Sequence, residues 1–362
     1  MNPMPYLPET TSHDSKSPRS LNAKPGVLMN ETMNEYQTKC CKLVVVIPAL
    51  NEAKTIAKVV SDIPLKLSGI SDIDVVVIDD GSTDQTAVLS EQAGTFVIRH
   101  THNLGVGAAF QTGLKEALYH GADIIVNMDA DGQFNPQDIP KLIAPIQHGE
   151  ASLVTATRFA DPGTTPDMPL IKIWGNRWMT RIINFITKKN LTDVSCGFRA
   201  YSREAALRLT LFGHFTYTQE TFIDLAFKNM AMMEIPLIIK GEREHGQSRV
   251  ASNLWRYGMK AATIIFRAAR DYRPQYFFGL PGLIIFLIGV IGGLFLLIHF
   301  IYTGQTYPYR SLVQLSSVLI IVGFLLIFQS LLADMLHRNR MIFEEILYHT
   351  RKEAYREQKT KR

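Results

Sequence analysis

The chain has 362 residues, of which 46% are hydrophobic and 20% are charged, and its formal net charge is +5. This length favours two domains, or one domain with appendages. The lysines and arginines cluster beside apolar segments near the C-terminus, which indicates a membrane surface as the partner and argues against nucleic acid. The three cysteines, Cys40, Cys41 and Cys196, have neither the pattern of a disulfide framework nor the spacing of a zinc site.

The N-terminal segment, residues 1–39, is rich in Pro, Ser, Thr and Asn and poor in large apolar side chains. This composition predicts a disordered tail. The tail lacks the basic-then-apolar order of a signal peptide, so we expect the domain that follows it, residues 40–250, to stay in the cytoplasm.

Apolar runs alternate with segments of helical periodicity through that domain. The runs that predict buried strands are residues 43–47, 75–78, 96–98, 124–127 and 153–157. Their spacing predicts an α/β fold with a parallel sheet and right-handed crossovers. Helical periodicity also covers residues 53–66. Residues 235–239 predict an edge strand, because Pro236 could not lie in the middle of a sheet.

Acidic residues follow three of the predicted strands. Glu52 follows the first, Asp79 and Asp80 end the second, and Asp129 and Asp131 follow the fourth. Each acid alone is explained by a turn or a helix cap. In a parallel sheet, however, all three turns lie at the edge where such sheets bind ligands, which predicts a nucleotide-and-metal cleft. Two carboxylates at one strand end suit Mg²⁺ or Mn²⁺ shared with a substrate diphosphate.

Two C-terminal segments, residues 277–301 and 312–333, contain no Asp, Glu, Lys or Arg. Each is long enough to cross a ~30 Å hydrocarbon core as a helix, and very buried core helices are the alternative. Residues 276–336 are therefore predicted to be a two-helix transmembrane anchor. Basic residues flank it on both outer sides, which predicts that the domain at residues 40–250 and both termini lie in the cytoplasm, with residues 337–362 as a basic tail.

The segment before the anchor, residues 251–275, is basic and amphipathic. It predicts an interface helix that lies on anionic headgroups, and an ordinary helix packed on the sheet is the equal alternative. The two spans also leave self-association of the chain open.

Six short segments together resemble the family 2 glycosyltransferases, in the branch of dolichol-phosphate mannosyltransferases and polyprenyl-phosphate glycosyltransferases with two C-terminal transmembrane helices. They occur in the same order and with the same spacing as in that family: residues 46–52, 77–84, 128–133, 157–159, 195–201 and 243–249. The chain departs from the family at Leu50, where a tyrosine or a similar residue is usual, and at Cys196, where serine is frequent.

The resemblance implies an A-type glycosyltransferase fold and specific residue roles. On the donor side it implies that the nucleoside is bound by Pro48, Leu50, Glu52, Asp79 and Asp80. In the catalytic centre it implies a Mg²⁺ or Mn²⁺ ion on Asp129 and Asp131, together with Gln133, Arg158 and Arg243. For the acceptor phosphate it implies Arg158 and Arg243 with Lys172, Asn176, Ser248 and Arg249.

The activity that the resemblance implies is inverting transfer of a sugar from a nucleoside-diphosphate sugar, with GDP-mannose as the best match, to a polyprenyl or dolichyl phosphate. A lipid phosphate is already anionic, so the reaction needs positioning more than a general base. UDP-glucose or a UDP-N-acetylhexosamine is the alternative donor. A non-catalytic, nucleotide-sensing membrane subunit is the alternative of another class.

Overall fold

The computed structural model describes residues 41–160, 163, 168–211, 217–241, 263, 266 and 270–360. The predicted N-terminal tail, most of the predicted interface helix at residues 251–275, and the segment with Arg243, Ser248 and Arg249 lie outside the described residues.

A seven-stranded mixed sheet forms the centre of the described part of the chain. Its strands are β1 (Cys41–Ala49), β2 (Ile70–Asp79), β3 (Phe96–Arg99), β4 (Ile124–Asn127), β5 (Leu153–Thr157), β6 (Arg199–Ser202) and β7 (Met232–Pro236). Their order across the sheet is β3-β2-β1-β4-β6-β5-β7. The predicted α/β fold is confirmed, and β7 lies at the edge as expected, although it begins and ends about three residues earlier than the pattern indicated.

One strand corrects the expectation of a parallel sheet. β6 runs antiparallel to both of its neighbours, β4 and β5, whereas the other strand pairs are parallel. The reason lies in the segment before β6. The Glu234 carboxylate, on β7, accepts hydrogen bonds from the backbone N–H groups of Thr192 and Asp193 at 2.7 and 2.9 Å. The chain is thereby held at the carboxyl edge of the sheet, so β6 must start there and run back.

Helices cover both faces of the sheet, which explains why its central strands are apolar on both sides. The helices are α1 (Ile56–Ser61), α2 (Thr86–Gln92), α3 (Val106–Tyr119), α4 (Ile139–Gln147), α5 (Leu170–Thr187), α6 (Arg203–Arg208), α7 (Tyr217–Phe227), α8 (Leu280–Thr303) and α9 (Arg310–Thr360). Helix α1 is much shorter than the predicted 53–66: it begins at Ile56 and ends at Ser61, ahead of Pro64, which disfavours helical backbone in the residue before it. Alternate residues of β1 enter opposite cores, Val44 and Val46 on one face and Leu43 and Val45 on the other.

The two predicted apolar helices are confirmed as α8 and the first half of α9. They pack as an antiparallel hairpin, and a Cβ at Gly289 of α8 would lie only 2.8 Å from the backbone N of Ile320 on α9. Only 11% of the most apolar window of each helix is buried, which excludes the alternative of core helices. Both helices are long and apolar enough to cross a bilayer.

Candidate functional site

The turns that follow β1, β2 and β4 are hydrogen-bonded to one another at the carboxyl edge of the sheet. The backbone N–H of Asn51 donates to Ser82 Oγ at 2.9 Å, and Asn51 Oδ1 accepts from the N–H of Thr83 at 2.8 Å. On the other side, Thr55 Oγ1 donates to the carbonyl of Ala130 at 2.7 Å. The acid-bearing turns therefore lie side by side, with the β1 turn between the other two.

The β4 turn carries the two carboxylates predicted to hold a metal. Asp131 is 2% exposed, and its Oδ1 accepts from the N–H of Gln133 at 3.1 Å. Asp129 faces Gly197, where a Cβ would lie 3.2 Å from both carboxylate oxygens. Glycine at this position keeps space open beside the carboxylate. No group of three or more His, Cys, Asp and Glu forms a metal site among the residues that the structure describes. Two hard oxygen donors fit a Mg²⁺ or Mn²⁺ ion whose other positions are filled by a diphosphate and water.

Asn127, the last residue of β4, fixes the surroundings of Asp129. Its Nδ2 donates to the Gly197 carbonyl at 2.9 Å and to the Tyr217 hydroxyl at 3.1 Å. Burial and the nearby Asp129 charge raise the pKa of Tyr217 well above its usual value, so this phenol stays neutral. Neither Asn127 nor Tyr217 was among the predicted site residues. The available signal was a polar residue at the end of an otherwise apolar strand.

Gln133 connects the β4 turn with Asp129 and Asp131, which we call the metal turn after its predicted role, to the segment that follows β7. Its Nε2 donates to the Lys240 carbonyl at 3.0 Å, and the Lys240 N–H donates to the Gln133 carbonyl at 3.2 Å. Three residues beyond Lys240 stands Arg243, which lies outside the described residues. The chain thus leaves the described region directly beside the metal turn.

Arg158 follows β5 and forms a two-point ion pair with Asp193, a residue that sequence reasoning missed. Arg158 Nε donates to Asp193 Oδ2 at 2.6 Å, and its Nη2 donates to Asp193 Oδ1 at 3.0 Å and to Ser195 Oγ at 2.6 Å. Burial acts to raise the pKa of Asp193, but the Arg158 guanidinium and the hydrogen bonds from Ser195 outweigh it and hold that pKa below its usual value. The pair fixes the direction of the guanidinium at the sheet edge.

Arg199 anchors the loop that carries Gly197. Its side chain is fully buried, Nε donates to the Cys196 carbonyl at 2.8 Å, and Nη1 donates to the Thr218 carbonyl at 2.8 Å. The guanidinium also lies 4.3 Å from the centre of the Phe222 ring. It therefore joins this loop to the start of α7.

The acids of the β2 turn are engaged within the protein. Asp79 is fully buried, accepts from the Ser82 N–H at 2.9 Å and lies 3.2 Å from Arg99 Nε. Asp79 thereby holds the turn in place, and its contact with the donor base stays a prediction.

Asp80 holds the loop that opens α3. Its two carboxylate oxygens accept from the N–H groups of Leu104 and Gly105, each at 2.9 Å, and Oδ1 lies 2.7 Å from His100 Nδ1. Pro48 is buried within β1, whereas Leu50 and Glu52 are half-buried beside this turn. Of the predicted donor residues, Leu50 and Glu52 therefore present the more accessible side chains.

Helix α5 carries the two remaining predicted acceptor residues. Lys172 is exposed. The side-chain amide atoms of Asn176 are buried and have no hydrogen-bond partner within the described part of the chain. On the outer face of the helix, Trp174 and Phe185 are 67% and 82% exposed, the kind of surface that membrane interfaces accept.

These features define an α/β domain with a candidate metal site at the carboxyl edge of its sheet and two candidate membrane spans. The chain belongs to glycosyl transferase family 2, whose family model matches residues 44–210. An uncharacterized protein of Methanocaldococcus jannaschii is 35% identical over 211 residues, which are 58% of this chain and 84% of that protein.

Two further relatives have named activities. The UDP-N-acetylglucosamine–dolichyl-phosphate N-acetylglucosaminyltransferase of Methanococcus voltae is 35% identical over 177 residues, 44% of this chain and 69% of that enzyme. The polyprenol monophosphomannose synthase of Mycolicibacterium smegmatis is 26% identical over 228 residues, 60% of this chain and 84% of that enzyme.

Proposed function

We propose that the protein transfers a sugar from a nucleoside-diphosphate sugar to a polyprenyl phosphate held in the membrane. One observation above all supports this proposal. The turn with Asp129 and Asp131 suits a diphosphate bound through a metal ion, and the domain that carries it is joined to two candidate membrane spans. The names of the relatives from Methanococcus voltae and Mycolicibacterium smegmatis, which both act on lipid phosphates, support this proposal.

On the donor side, Asp129 and Asp131 would hold the metal against the diphosphate. A bound Mg²⁺ or Mn²⁺ ion supplies Lewis-acid stabilisation of the charge on the leaving diphosphate. The protein contributes rigidity: Asn127 and Tyr217 pack around Asp129, and the N–H of Gln133 orients Asp131.

On the acceptor side, the phosphate oxygen of the lipid attacks C1 of the sugar. The new O–C1 bond forms as the bond from C1 to the diphosphate breaks, with inversion and with no proton to remove. Asn176 offers a buried amide with unused hydrogen-bonding capacity, and Arg158 offers a guanidinium aligned by Asp193. Lys172 would complete the phosphate site together with Arg243, Ser248 and Arg249, which follow Lys240 in the sequence.

The reaction is proposed for the cytoplasmic face. Arg273 precedes the first span, and Arg338 and Arg340 follow the second, so both inner ends carry positive charge. The exposed aromatic side chains of α5 would bring the acceptor helix to headgroup depth.

The donor is GDP-mannose or UDP-N-acetylglucosamine. The six-segment resemblance favours GDP-mannose, whereas the higher identity to the Methanococcus voltae enzyme, 35% against 26%, favours the UDP-linked sugar. A panel of radiolabelled GDP-mannose, UDP-glucose and UDP-N-acetylglucosamine with polyprenyl phosphate, and with Mg²⁺ or Mn²⁺, separates them. We expect label in the lipid extract with one donor. Nucleotide binding without lipid product from any donor would overturn the proposal in favour of a nucleotide-sensing subunit.

A further inference from the structure

Helix α9 does not end where its apolar segment ends. It continues along the catalytic domain, where Tyr348 is 5% exposed and donates its hydroxyl to Glu204 Oε2 at 2.8 Å. Farther along, Arg351 Nη1 donates to the carbonyls of Leu207 and Leu209 at 3.1 and 2.9 Å. At 1.5 Å per residue, Arg351 lies about 27 Å along the helix beyond the end of the predicted span.

A polar cluster joins this extension to α7 and to the start of the anchor. We call it the junction cluster, and its members are Asp224, Lys228, Tyr272, Arg340 and Glu344. Asp224 and Lys228 belong to the end of α7 or follow it, Tyr272 precedes the first span, and Arg340 and Glu344 follow the second.

The junction cluster is closely connected: Asp224 is buried, and the other four members are half-buried. Arg340 Nη2 donates to the Tyr272 hydroxyl at 2.9 Å, and this hydroxyl lies 3.3 Å from Asp224 Oδ1, to which it donates. Lys228 Nζ lies 2.9 Å from Asp224 Oδ2 and 3.3 Å from Glu344 Oε2. Burial raises the pKa of both Asp224 and Tyr272, which agrees with a cluster removed from water.

Helix α7 connects the junction cluster to the metal turn. Its first residue, Tyr217, accepts from Asn127 beside Asp129, and Asp224 stands seven residues later, about 10 Å along the helix. Almost the whole length between them is buried. The segment before the first span and the segment after the second span therefore both contact α7 or Lys228 directly after it, and the first residue of α7 lies beside the metal turn.

We propose that the junction cluster sets the height and orientation of the metal turn above the bilayer. Tyr272 and Arg340 are then positioning residues for an acceptor that is held in the membrane. This rests on the proposed function for the identity of the acceptor. A cluster that only stabilised the domain would affect every acceptor equally. A positioning cluster matters when the acceptor is fixed in the bilayer, and matters little when the acceptor diffuses in water.

The test compares two acceptors in matched variants. Arg340→Ala removes the guanidinium that donates from α9 to the Tyr272 hydroxyl, and Tyr272→Phe removes the hydroxyl while keeping the ring stacked on Phe227 at 4.0 Å. The control is Arg338→Ala, two residues away on α9, where the exposed Arg338 side chain pairs with Asp334 within the same helix. Each is assayed with long-chain polyprenyl phosphate in vesicles and with a water-soluble short-chain prenyl phosphate.

We expect Arg340→Ala to raise KM for the vesicle acceptor about tenfold and Tyr272→Phe about threefold, from the loss of buried charge-assisted hydrogen bonds. The KM for the donor, and the rate with the soluble acceptor, stay within about twofold of wild type, and Arg338→Ala behaves as wild type. Equal losses with both acceptors, or no difference from Arg338→Ala, would overturn the proposal.

Hydrogen exchange in lipid nanodiscs gives a readout that does not depend on transfer. Backbone amides of residues 337–344, around Arg340, should exchange about tenfold faster in Arg340→Ala than in wild type or Arg338→Ala. The variant loses the contacts of α9 with the junction cluster there, whereas the Tyr348 and Arg351 contacts farther along the helix remain. Unchanged exchange would show that the cluster does not hold α9. If wild type makes no lipid product, the proposed function fails, and this measurement still decides whether the junction exists.

Discussion

Two acid-bearing turns at the same edge of the sheet have different surroundings. In the β2 turn, Asp79 and Asp80 point to backbone N–H groups, an arginine and a histidine of the protein itself. In the β4 turn, Asp129 faces Gly197, where the missing Cβ keeps space beside the carboxylate. Similar acidic turns thus have different immediate neighbours: the β2 carboxylates stabilise their own turn and loop, and the β4 carboxylates are the proposed metal ligands.

The largest expected effect lies in the β4 turn. Asp131→Asn keeps the shape of the side chain and removes the charge that would hold the metal. We expect a loss of transfer of at least roughly a thousandfold, because a metal site stabilises the departing diphosphate by several kcal/mol. Transfer assays over a Mn²⁺ titration measure it, with circular dichroism as the folding control. Metal-dependent product at near wild-type rate would remove Asp131 from the site.

The Arg158–Asp193 pair stabilises the fold as well as aligning Arg158 for the proposed acceptor phosphate. Asp193→Asn should lower the free energy of unfolding by about 3 kcal/mol, since it leaves a largely buried guanidinium without its counter-charge. Denaturant unfolding in detergent measures this change. A loss below about 0.5 kcal/mol would show that the pair is dispensable.

The same pair predicts a pH dependence. The pKa of Asp193 is lowered in the folded protein, so its contribution to stability is present above the unfolded value of about 4 and is lost as pH falls through the lower folded value. Between pH 6 and pH 3, the free energy of unfolding should fall less steeply with decreasing pH in Asp193→Asn than in wild type. Parallel curves would contradict this.

A smaller effect is expected from filling the space beside Asp129. Gly197→Ala would place a methyl group 3.2 Å from both carboxylate oxygens, so the carboxylate or the loop must shift. We expect metal affinity to fall roughly 10- to 100-fold, as for other changes to groups that orient metal ligands. Mn²⁺ binding followed by electron paramagnetic resonance measures it. Gly175→Ala on α5, where an added Cβ meets nothing within 4 Å, is the matched control and should bind as wild type.

The smallest effect is expected in the β2 turn. Asp80→Asn weakens the hydrogen bonds to Leu104 and Gly105 and should cost about 1 kcal/mol of stability, with only a modest rise in donor KM. A donor KM that rose about a hundredfold at unchanged stability would contradict this expectation and support the predicted contact of Asp80 with the donor base.

The sheet edge and its acidic turns could be predicted because each strand end and the acids that follow it are recognised within a short stretch of sequence. It could not predict that β6 runs backwards, since that depends on Glu234 holding Thr192 and Asp193 from a distant strand. The role of Asp193 was hidden for the same reason. The burial of Asp79 could not be predicted either, because it is decided by the elements around it, among them Arg99 at the end of β3.

Helix α9 is continuous from Arg310 to Thr360, so its membrane segment and its extension along the domain move together. A helix without a hinge carries any change of tilt in the bilayer to its far end, and about 10° of tilt would displace Arg351 by about 5 Å. Membrane thickness sets such tilts. We therefore expect transfer rates in vesicles of graded acyl-chain length to pass through an optimum, which would make the enzyme sensitive to the lipid in which its acceptor is dissolved.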